Sequence, residues 1–436
     1  MTPLRWSATL ALLPALLSAQ ERPVALRGAR ILPVSGPAID NGVLVVQGGR
    51  IVAVGDAGST RVPAGAEIHE AKGRVIIPGL VDTHSHIGGG PGGDRSAPTQ
   101  GDVRILDAID VESDDVRRAR AGGITTVNIM PGSGHLMGGQ TAYLKLRRGR
   151  TIGDLLYCRE PITEICGGLK MGNGTNPRGA PPWPGTRAKA AALVREKFIK
   201  AAEYRRKLEQ GRADSTKRPE RDLELETLVQ VLEGKRMVHH HTHRHDDILT
   251  VLRLQKEFGF RVVLHHVSEG WRVAREIAAA GVPCSIILID SPGGKLEAIG
   301  LRMETGAVLD SAGVLVAFHT DDYITDSRHF LRSAAFGVRA GMSRARALEA
   351  LTIAGAKMLD LDRRVGTLEP GKDADFVVLS GDPLSTYTHV EETWAAGERV
   401  FDRSNPEDRK YATGAFRLMR DPDFHGDEHD GLGGER

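Results

Sequence analysis

The longest regular pattern in the chain is an alternation of short apolar runs with helix-like segments between about Pro78 and about Leu361. Runs such as "GLVDTHSHI" and "VLVAFHTDD" are typical of strands, whereas "DDILTVLRLQKEFG" repeats its apolar positions at helical spacing. This alternation predicts a parallel sheet, and its length favours a (β/α)₈ barrel over residues 78–363. The charged stretch from Thr186 to Arg236 predicts two solvated helices, with a lid over the barrel as the alternative.

Short strands of another kind lie on both sides of this region. Segments such as "NGVLVVQGGRIVAVG" near the start and "DADFVVLSGDP" near the end are punctuated by turn-forming residues. We therefore predict a small composite β-sandwich domain formed by both chain ends, with residues 23–77 as its N-terminal part and residues 364–402 as its C-terminal part. Residues 403–436 are expected to form a C-terminal tail.

The first residues carry the pattern of a secretory signal. Arg5 precedes the apolar run "WSATLALLPALLSA", which ends in the small residues Ser18 and Ala19. This is typical of a cleaved signal peptide over residues 1–19, and the run is too short to span a bilayer comfortably. No other stretch of about 18 apolar residues occurs. The mature protein is expected to be exported, periplasmic or extracellular, and without a membrane anchor.

Charge and cysteine content exclude two classes of protein. The 58 basic and 56 acidic residues nearly cancel, and no basic stripe with interleaved aromatics occurs, so nucleic acid is not an expected partner. Cys158, Cys166 and Cys284 allow at most one internal disulfide. They are not spaced as a zinc knuckle, and core positions are favoured for them. The chain is therefore not a disulfide-stapled scaffold.

The first predicted barrel strand ends in residues that can bind a metal. In "VDTHSH", His84 and His86 are two residues apart and project from the same face of a strand, and Asp82 shares that face. Imidazole and carboxylate groups are the ligands of catalytic zinc. A single H-x-H pair is also compatible with an ordinary polar strand end.

Three later strand ends repeat this chemistry. They are predicted to present His239, His241, His243 and His245 on one face with His240 on the other, then His265 and His266 facing opposite ways, then His319, Asp321 and Asp322. Barrel enzymes keep their active sites at these strand ends, and burying so many polar side chains without partners would cost about 1–3 kcal/mol each. We therefore predict a metal site that holds Zn²⁺.

Several motifs together resemble one known group of enzymes. "PGLVDTHSH" resembles the opening signature of the amidohydrolase superfamily, and the flanking β-segments are similar to its composite domain. The segments "GITTVNIMPGSGHLMGGQ", "GLKMGNGTNP", "HTHRHDDIL", "HHVSEG" and "AFHTD" look like the imidazolonepropionase-like branch. The resemblance extends from about Arg27 to about Asp402 and implies a metal-dependent hydrolase with this barrel and this composite domain.

The resemblance also implies which residues bind the metal. They are His84 and His86 on strand one, His241 on strand five, His266 on strand six and Asp321 on strand eight, with Asp321 also acting as general base. His243 is the alternative to His241. His265 is the alternative to His266, although "HVSE" matches the family pattern at His266.

The strand-four position leaves the number of metal ions open. Many members of the superfamily have a carboxylated Lys or a Glu there that bridges two metals, and Lys170 is the candidate in this chain. However, Thr175 stands where related sequences commonly have Glu. Lys170 could instead bind a substrate carboxylate or form an ion pair, so we expect one or two ions per chain.

These residues imply hydrolysis of an amide or cyclic amide C–N bond in a small substrate such as a dipeptide. In this mechanism Asp321 takes a proton from a metal-activated water, and His266 binds the metal or the developing oxyanion. No G-x-S-x-G motif is present to supply a serine nucleophile. The alternative is a catalytically silent, ligand-binding member of the same fold. Either form is compatible with an oligomer.

Overall fold

The computed structural model describes residues 22–89, 93–94, 96–288, 296–322 and 324–414. The predicted signal peptide and the last part of the predicted tail lie outside these residues. The strands are β1 (Val24–Ile31), β2 (Ile39–Gln47), β3 (Arg50–Asp56), β4 (Glu67–Glu70), β5 (Val75–Pro78), β6 (Leu80–Ser85), β7 (Ile124–Ile129), β8 (Met137–Gln140), β9 (Ala142–Lys145), β10 (Leu169–Gly172), β11 (Val238–Thr242), β12 (Val262–His266), β13 (Cys284–Ile286), β14 (Val316–Phe318), β15 (Phe376–Leu379), β16 (Val390–Ala395) and β17 (Glu398–Asp402).

Helices connect most of the later strands. They are α1 (Asp114–Ala121), α2 (Ile152–Leu155), α3 (Arg187–Ala213), α4 (Leu223–Leu232), α5 (His245–Phe258), α6 (Ala274–Ala279), α7 (Thr305–Ser311), α8 (Arg332–Arg339), α9 (Arg344–Leu351), α10 (Ile353–Met358) and α11 (Pro406–Thr413). A 3₁₀ turn at Leu296–Ala298 precedes α7. Among the described residues, no helix combines the length and the apolar character needed to cross a membrane.

Strands from both chain ends share one sheet, as the pattern at the two ends predicts. The order of this eight-stranded sheet is β17-β16-β15-β5-β1-β2-β3, with β4 paired to β1. The two ends meet where β15 runs antiparallel to β5 and Phe376 is paired with Pro78. Phe376 also stacks on Trp394 in the core of this sheet, with ring centroids 5.3 Å apart. The composite sheet is therefore observed, whereas its arrangement as a sandwich and the domain boundaries stay predictions.

The middle of the chain forms two further sheets rather than one ring of eight strands. One has the order β14-β13-β12-β11-β10-β8 and the other β6-β7-β9. The neighbours from β10 to β14 are parallel, as predicted, but β8 is antiparallel to β10 and β9 is antiparallel to β7. Strand pairing among the described residues does not close the two sheets into a barrel. They are joined at one end by two hydrogen bonds. The Thr320 N–H donates to the Asp82 carboxylate at 3.0 Å, and the Asp321 N–H donates to the His84 carbonyl oxygen at 2.9 Å.

The charged stretch forms two helices, α3 and α4, as predicted, but each buries one face. Phe198 of α3 is fully buried and stacks on Phe258 and Phe260, with ring centroids 5.1 and 5.2 Å away. Leu228 of α4 is also fully buried. The two helices therefore belong to the packed layer around the parallel strands, and only their outer faces are solvated.

Part of the predicted C-terminal tail is a helix. Asn405 caps α11 by accepting a hydrogen bond from the N–H of Glu407. Tyr411, on the buried side of α11, accepts a hydrogen bond from Arg117 of α1 and donates one to Asp114. The predicted tail therefore begins with a short helix at Pro406–Thr413, which has few apolar residues and is held by its contacts with α1.

One disulfide joins the described cysteines. Cys158 and Cys166 are bonded, while Cys284 is a free, buried thiol on β13. This matches the limit of one internal disulfide. The core position that we expected for all three holds for Cys284 and Cys166, and Cys158 is partly buried against the same core. Burial raises the pKa of the Cys284 thiol.

Candidate metal centre

The histidines predicted at separate strand ends meet in one buried cluster. The rings of His84 on β6 and His266 on β12 have centroids 4.9 Å apart, and the His241 ring on β11 is 4.4 Å from that of His266. All three side chains are almost completely buried. The strand ends therefore bring together residues that are far apart in the sequence.

The first group that can hold a cation consists of His84, His86 and Asp321. Asp321 Oδ1 lies 3.3 Å from Nε2 of His84 and 3.1 Å from Nε2 of His86. Nδ1 of His86 is 2.8 Å from the Met130 carbonyl oxygen. Because a carbonyl can only accept, Nδ1 of His86 carries the hydrogen and its Nε2 lone pair faces the group. The structure thus places these three predicted ligands around one point.

The second group consists of His241, His243 and His266. The ring centroids of His241 and His243 are 4.6 Å apart, and those of His243 and His266 are 4.9 Å apart. Nδ1 of His243 is 2.7 Å from the hydroxyl of Ser268. His241 and His243, the two alternatives for one metal ligand, therefore both belong to the second group.

Lys170 lies beside the first group. It is 1% exposed, and its Nζ is 3.1 Å from Nε2 of His84 and 3.0 Å from the Met130 sulfur. Burial, followed by the positive charge of Lys170, holds the pKa of His84 well below its ordinary value. Lys170 therefore lies beside the first group, and its bridging role stays a prediction.

His265 and His266 do not face opposite ways, and that prediction is wrong. The His265 ring centroid is 5.0 Å from that of His84, close to the 4.9 Å that separates His266 from His84. The reason is backbone geometry: His266 and Val267 have φ angles of 69° and 52°, so the two-residue periodicity of the strand stops there. His265 forms a third group with His84 and His319, beside the other two.

One other prediction about strand faces is also wrong. The strand β11 ends at Thr242, and His245 begins α5 with its Nδ1 bonded to Glu269 at 2.6 Å, away from the cluster.

Asp82 belongs to none of the three groups. Its carboxylate accepts hydrogen bonds from the N–H and hydroxyl of Thr320. Asp82 thus joins the first and last strands of the predicted barrel instead of contributing a ligand.

Burial keeps His239, His265, His266 and His319 neutral at ordinary pH. Burial lowers the pKa of both His239 and His319 to about 3, and it lowers the pKa of His265 and His266 well below their ordinary range. Neutral imidazole is the form that binds a metal ion. These histidines can therefore bind a cation without first losing a proton.

The donor set fits zinc or a similar divalent ion. Nε2 of His266 is buried and has no hydrogen-bond partner among the described residues, although it lies within the second group. A buried polar atom without a partner costs about 1–3 kcal/mol, and a bound cation would remove that cost. Nitrogen-rich sites with one carboxylate are typical of Zn²⁺.

Two polar side chains of the motif "GITTVNIMPGSGHLMGGQ", His135 and Gln140, form hydrogen bonds away from the metal groups. His135 Nε2 lies 2.6 Å from the carbonyl oxygen of Asp94, and Gln140 donates to Thr227 at 2.9 Å. These contacts support a structural role for the loop "PGSGHLMGGQ". Asp322 forms an ion pair with Arg118 at 3.2 Å and belongs to none of the three metal groups.

Glu297 is a residue of the site that the sequence analysis missed. It is 2% exposed, and Oε1 of its carboxylate lies 3.8 Å from Nε2 of His241. Its other oxygen accepts a hydrogen bond from the N–H of Thr175 at 2.7 Å. No spacing pattern marks Glu297, and only long-range packing brings it to His241.

Comparisons with known proteins agree with this geometry. The amidohydrolase family profile matches residues 75–400. The amidohydrolase tasK of Hapsidospora irregularis is 26% identical over 376 residues, which cover 79% of this chain and 38% of that protein. The crystal structure of an amidohydrolase from Thermotoga maritima MSB8 superimposes with a TM-score of 0.82 at 32% identity, covering 87% of this chain and 100% of that chain.

A more distant neighbour shares the fold. It is a zinc-bound adenosine deaminase from Xanthomonas campestris, with a TM-score of 0.52, 18% identity and coverage of 86% of this chain and 92% of that chain.

The chain belongs to the amidohydrolase family. Its fold is a TIM-barrel-like α/β fold, and the chain spans 38% of the length of the curated relative tasK. The superfamily prediction is confirmed, while the imidazolonepropionase-like branch stays a prediction.

Proposed function

We propose that the protein is an exported, metal-dependent amidohydrolase that hydrolyses an amide or cyclic amide bond of a small substrate, with dipeptides as the first class to test. The observation that carries this proposal is the packing of His84, His86 and Asp321 against a second group of buried histidines. His84, His86, His241, His266 and Asp321 would hold the metal, with Lys170 as the bridge if two ions bind. When bound, a divalent cation such as Zn²⁺ would supply Lewis acidity towards water and a substrate carbonyl.

The proton transfers fall to Asp321 in this mechanism. Its carboxylate is almost completely buried, and Oδ1 faces the histidines of the first group. One oxygen would accept a proton from the attacking water and later return it to the departing nitrogen. His266, whose Nδ1 lies 3.9 Å from Oδ2 of Asp321, would bind the metal, or the developing oxyanion if only one ion is present.

We expect the purified mature protein to retain about one or two Zn²⁺ ions per chain after a brief chelator wash. Elemental analysis checks this, and the His84→Asn variant should lose metal because His84 belongs to two of the three groups. The His245→Asn variant is the matched control, since His245 pairs with Glu269 outside the cluster.

The number of Zn²⁺ ions per chain distinguishes a mononuclear site from a bridged pair. About two ions would support a bridge through Lys170, and about one would support a mononuclear site. Folded parent protein without metal would overturn the hydrolase mechanism in favour of a silent binding protein.

Export is supported by the N-terminal sequence pattern and by the Cys158–Cys166 disulfide, because such bonds persist in oxidising compartments. We expect the protein to be recovered from the periplasm or the medium and to have lost residues 1–19. Cell fractionation with intact-mass measurement checks this. A cytoplasmic protein that keeps these residues would contradict the proposal.

A further inference from the structure

The 3₁₀ turn Leu296–Ala298 buries its acid and exposes its apolar neighbours. Glu297 is 2% exposed, while Leu296 and Ile299 are 85% and 82% exposed. Water favours the reverse arrangement, and a buried carboxylate is costly unless other groups compensate its charge. The inward orientation of Glu297 therefore depends on what its carboxylate contacts.

Three neighbours stabilise or accommodate this carboxylate in its buried position. Oε2 accepts the Thr175 N–H at 2.7 Å and lies 3.9 Å from a guanidinium nitrogen of Arg187. Gly174 leaves the necessary space, because a Cβ at this position would lie 2.3 Å from Oε2 and the φ angle is +83°. With Oε2 held in this way, Oε1 is directed towards Nε2 of His241 at 3.8 Å.

Three of the four other histidines in the two metal groups, all but His84, show what such a neighbour does. Nδ1 of His86 lies against the Met130 carbonyl oxygen at 2.8 Å, and Nδ1 of His243 lies 2.7 Å from the Ser268 hydroxyl. Nδ1 of His266 is 3.3 Å from Nε2 of His319. In each case one ring nitrogen has an outer partner, so the other nitrogen can serve the cation.

We propose that Glu297 is the positioning residue that completes this arrangement for His241. The negative charge of its carboxylate, 3.8 Å from Nε2, favours the His241 tautomer with the hydrogen on Nε2 and leaves the Nδ1 lone pair for the cation, which couples the 3₁₀ turn Leu296–Ala298 to the metal centre. The inference rests on the proposed metal-dependent function. Carboxylates behind ligating histidines fix the ring and raise its basicity, and their loss typically lowers metal affinity by about 10–100-fold.

The test is a Zn²⁺ titration of the metal-free, full-length mature protein against a chromophoric chelator. Glu297→Gln keeps the shape and an acceptor for the Thr175 N–H but removes the charge, so we expect Zn²⁺ affinity to fall by about 10–100-fold. Glu304→Gln, at an exposed acid seven residues later, should leave the affinity unchanged.

A purely structural role would not produce two further results that we expect. The thermal midpoint of metal-free Glu297→Gln should stay close to that of the parent, and the visible absorption spectrum of its Co²⁺-loaded form should change. Parent-like Zn²⁺ affinity in folded Glu297→Gln would overturn the proposal.

If Glu297→Gln does not fold, Glu297→Asp provides a second test, since it keeps the charge but withdraws it by one methylene. It should bind Zn²⁺ more weakly than the parent, and parent-like affinity would overturn the proposal. The outcome is separate from the proposed hydrolysis. A parent protein that binds Zn²⁺ but turns over no substrate would contradict the hydrolase activity while leaving the role of Glu297 measurable.

Discussion

Replacing Asp321 with Asn is expected to lower kcat/KM by about 10²–10⁴-fold while most of the metal stays bound. Asn cannot accept the proton from water, but its amide oxygen can still face His84 and His86 as Oδ1 of Asp321 does. The backbone should be unaffected. Asp321 has a φ angle of 48°, in the left-handed region that Asn adopts readily.

The measurement is steady-state kinetics beside metal content, using the substrate found by screening dipeptides, N-acyl amino acids and cyclic amides. Asp326→Asn is the control on the same loop, because the Asp326 carboxylate pairs with Arg328 and not with the histidines. It should keep nearly full activity. Equal turnover in Asp321→Asn and the parent would contradict the role of Asp321 as general base, and loss of metal with turnover would show that Asp321 acts mainly as a ligand.

Replacing Lys145 with Met is expected to lower the free energy of unfolding by about 3–5 kcal/mol. Lys145 ends β9, and its buried Nζ lies 2.5 Å from Asp375 and 2.7 Å from Asp373. Burial alone would lower the pKa of Lys145, but these carboxylates outweigh it and raise the pKa above its ordinary value. Removing the cation would leave Asp375 with a buried, uncompensated charge, whereas Asp373 keeps Arg50 and Arg364.

Urea unfolding of metal-free protein measures this change. The double variant Lys145→Met/Asp375→Asn should recover part of the loss, because it no longer buries an unpaired carboxylate. Lys200→Met, which breaks an exposed pair with Glu196, is the control and should change stability far less. A Lys145→Met protein as stable as the parent would show that the composite sheet and the central strands are not held together by this contact.

The errors about the directions of His245, His265 and His266 share one cause, which is loss of regular backbone at strand ends. Period-two reasoning was sufficient for His84 within β6 and for His86, one residue beyond the end of β6. It failed at His266, where φ turns positive, and at His245, which lies beyond the end of β11. A strand pattern predicts directions only while the chain remains a strand.

Sequence alone was enough for the features that depend on local chemistry. The alternation of strands and helices, the return of the last strands to the first sheet and the concentration of histidines at strand ends all follow from residue type and spacing. Other features depend on the folded chain, because they join residues from distant segments. The meeting of the histidine groups, the approach of Glu297 to His241 and the burial of Lys145 between two aspartates are set by packing and by desolvation of charge, and no local pattern encodes either.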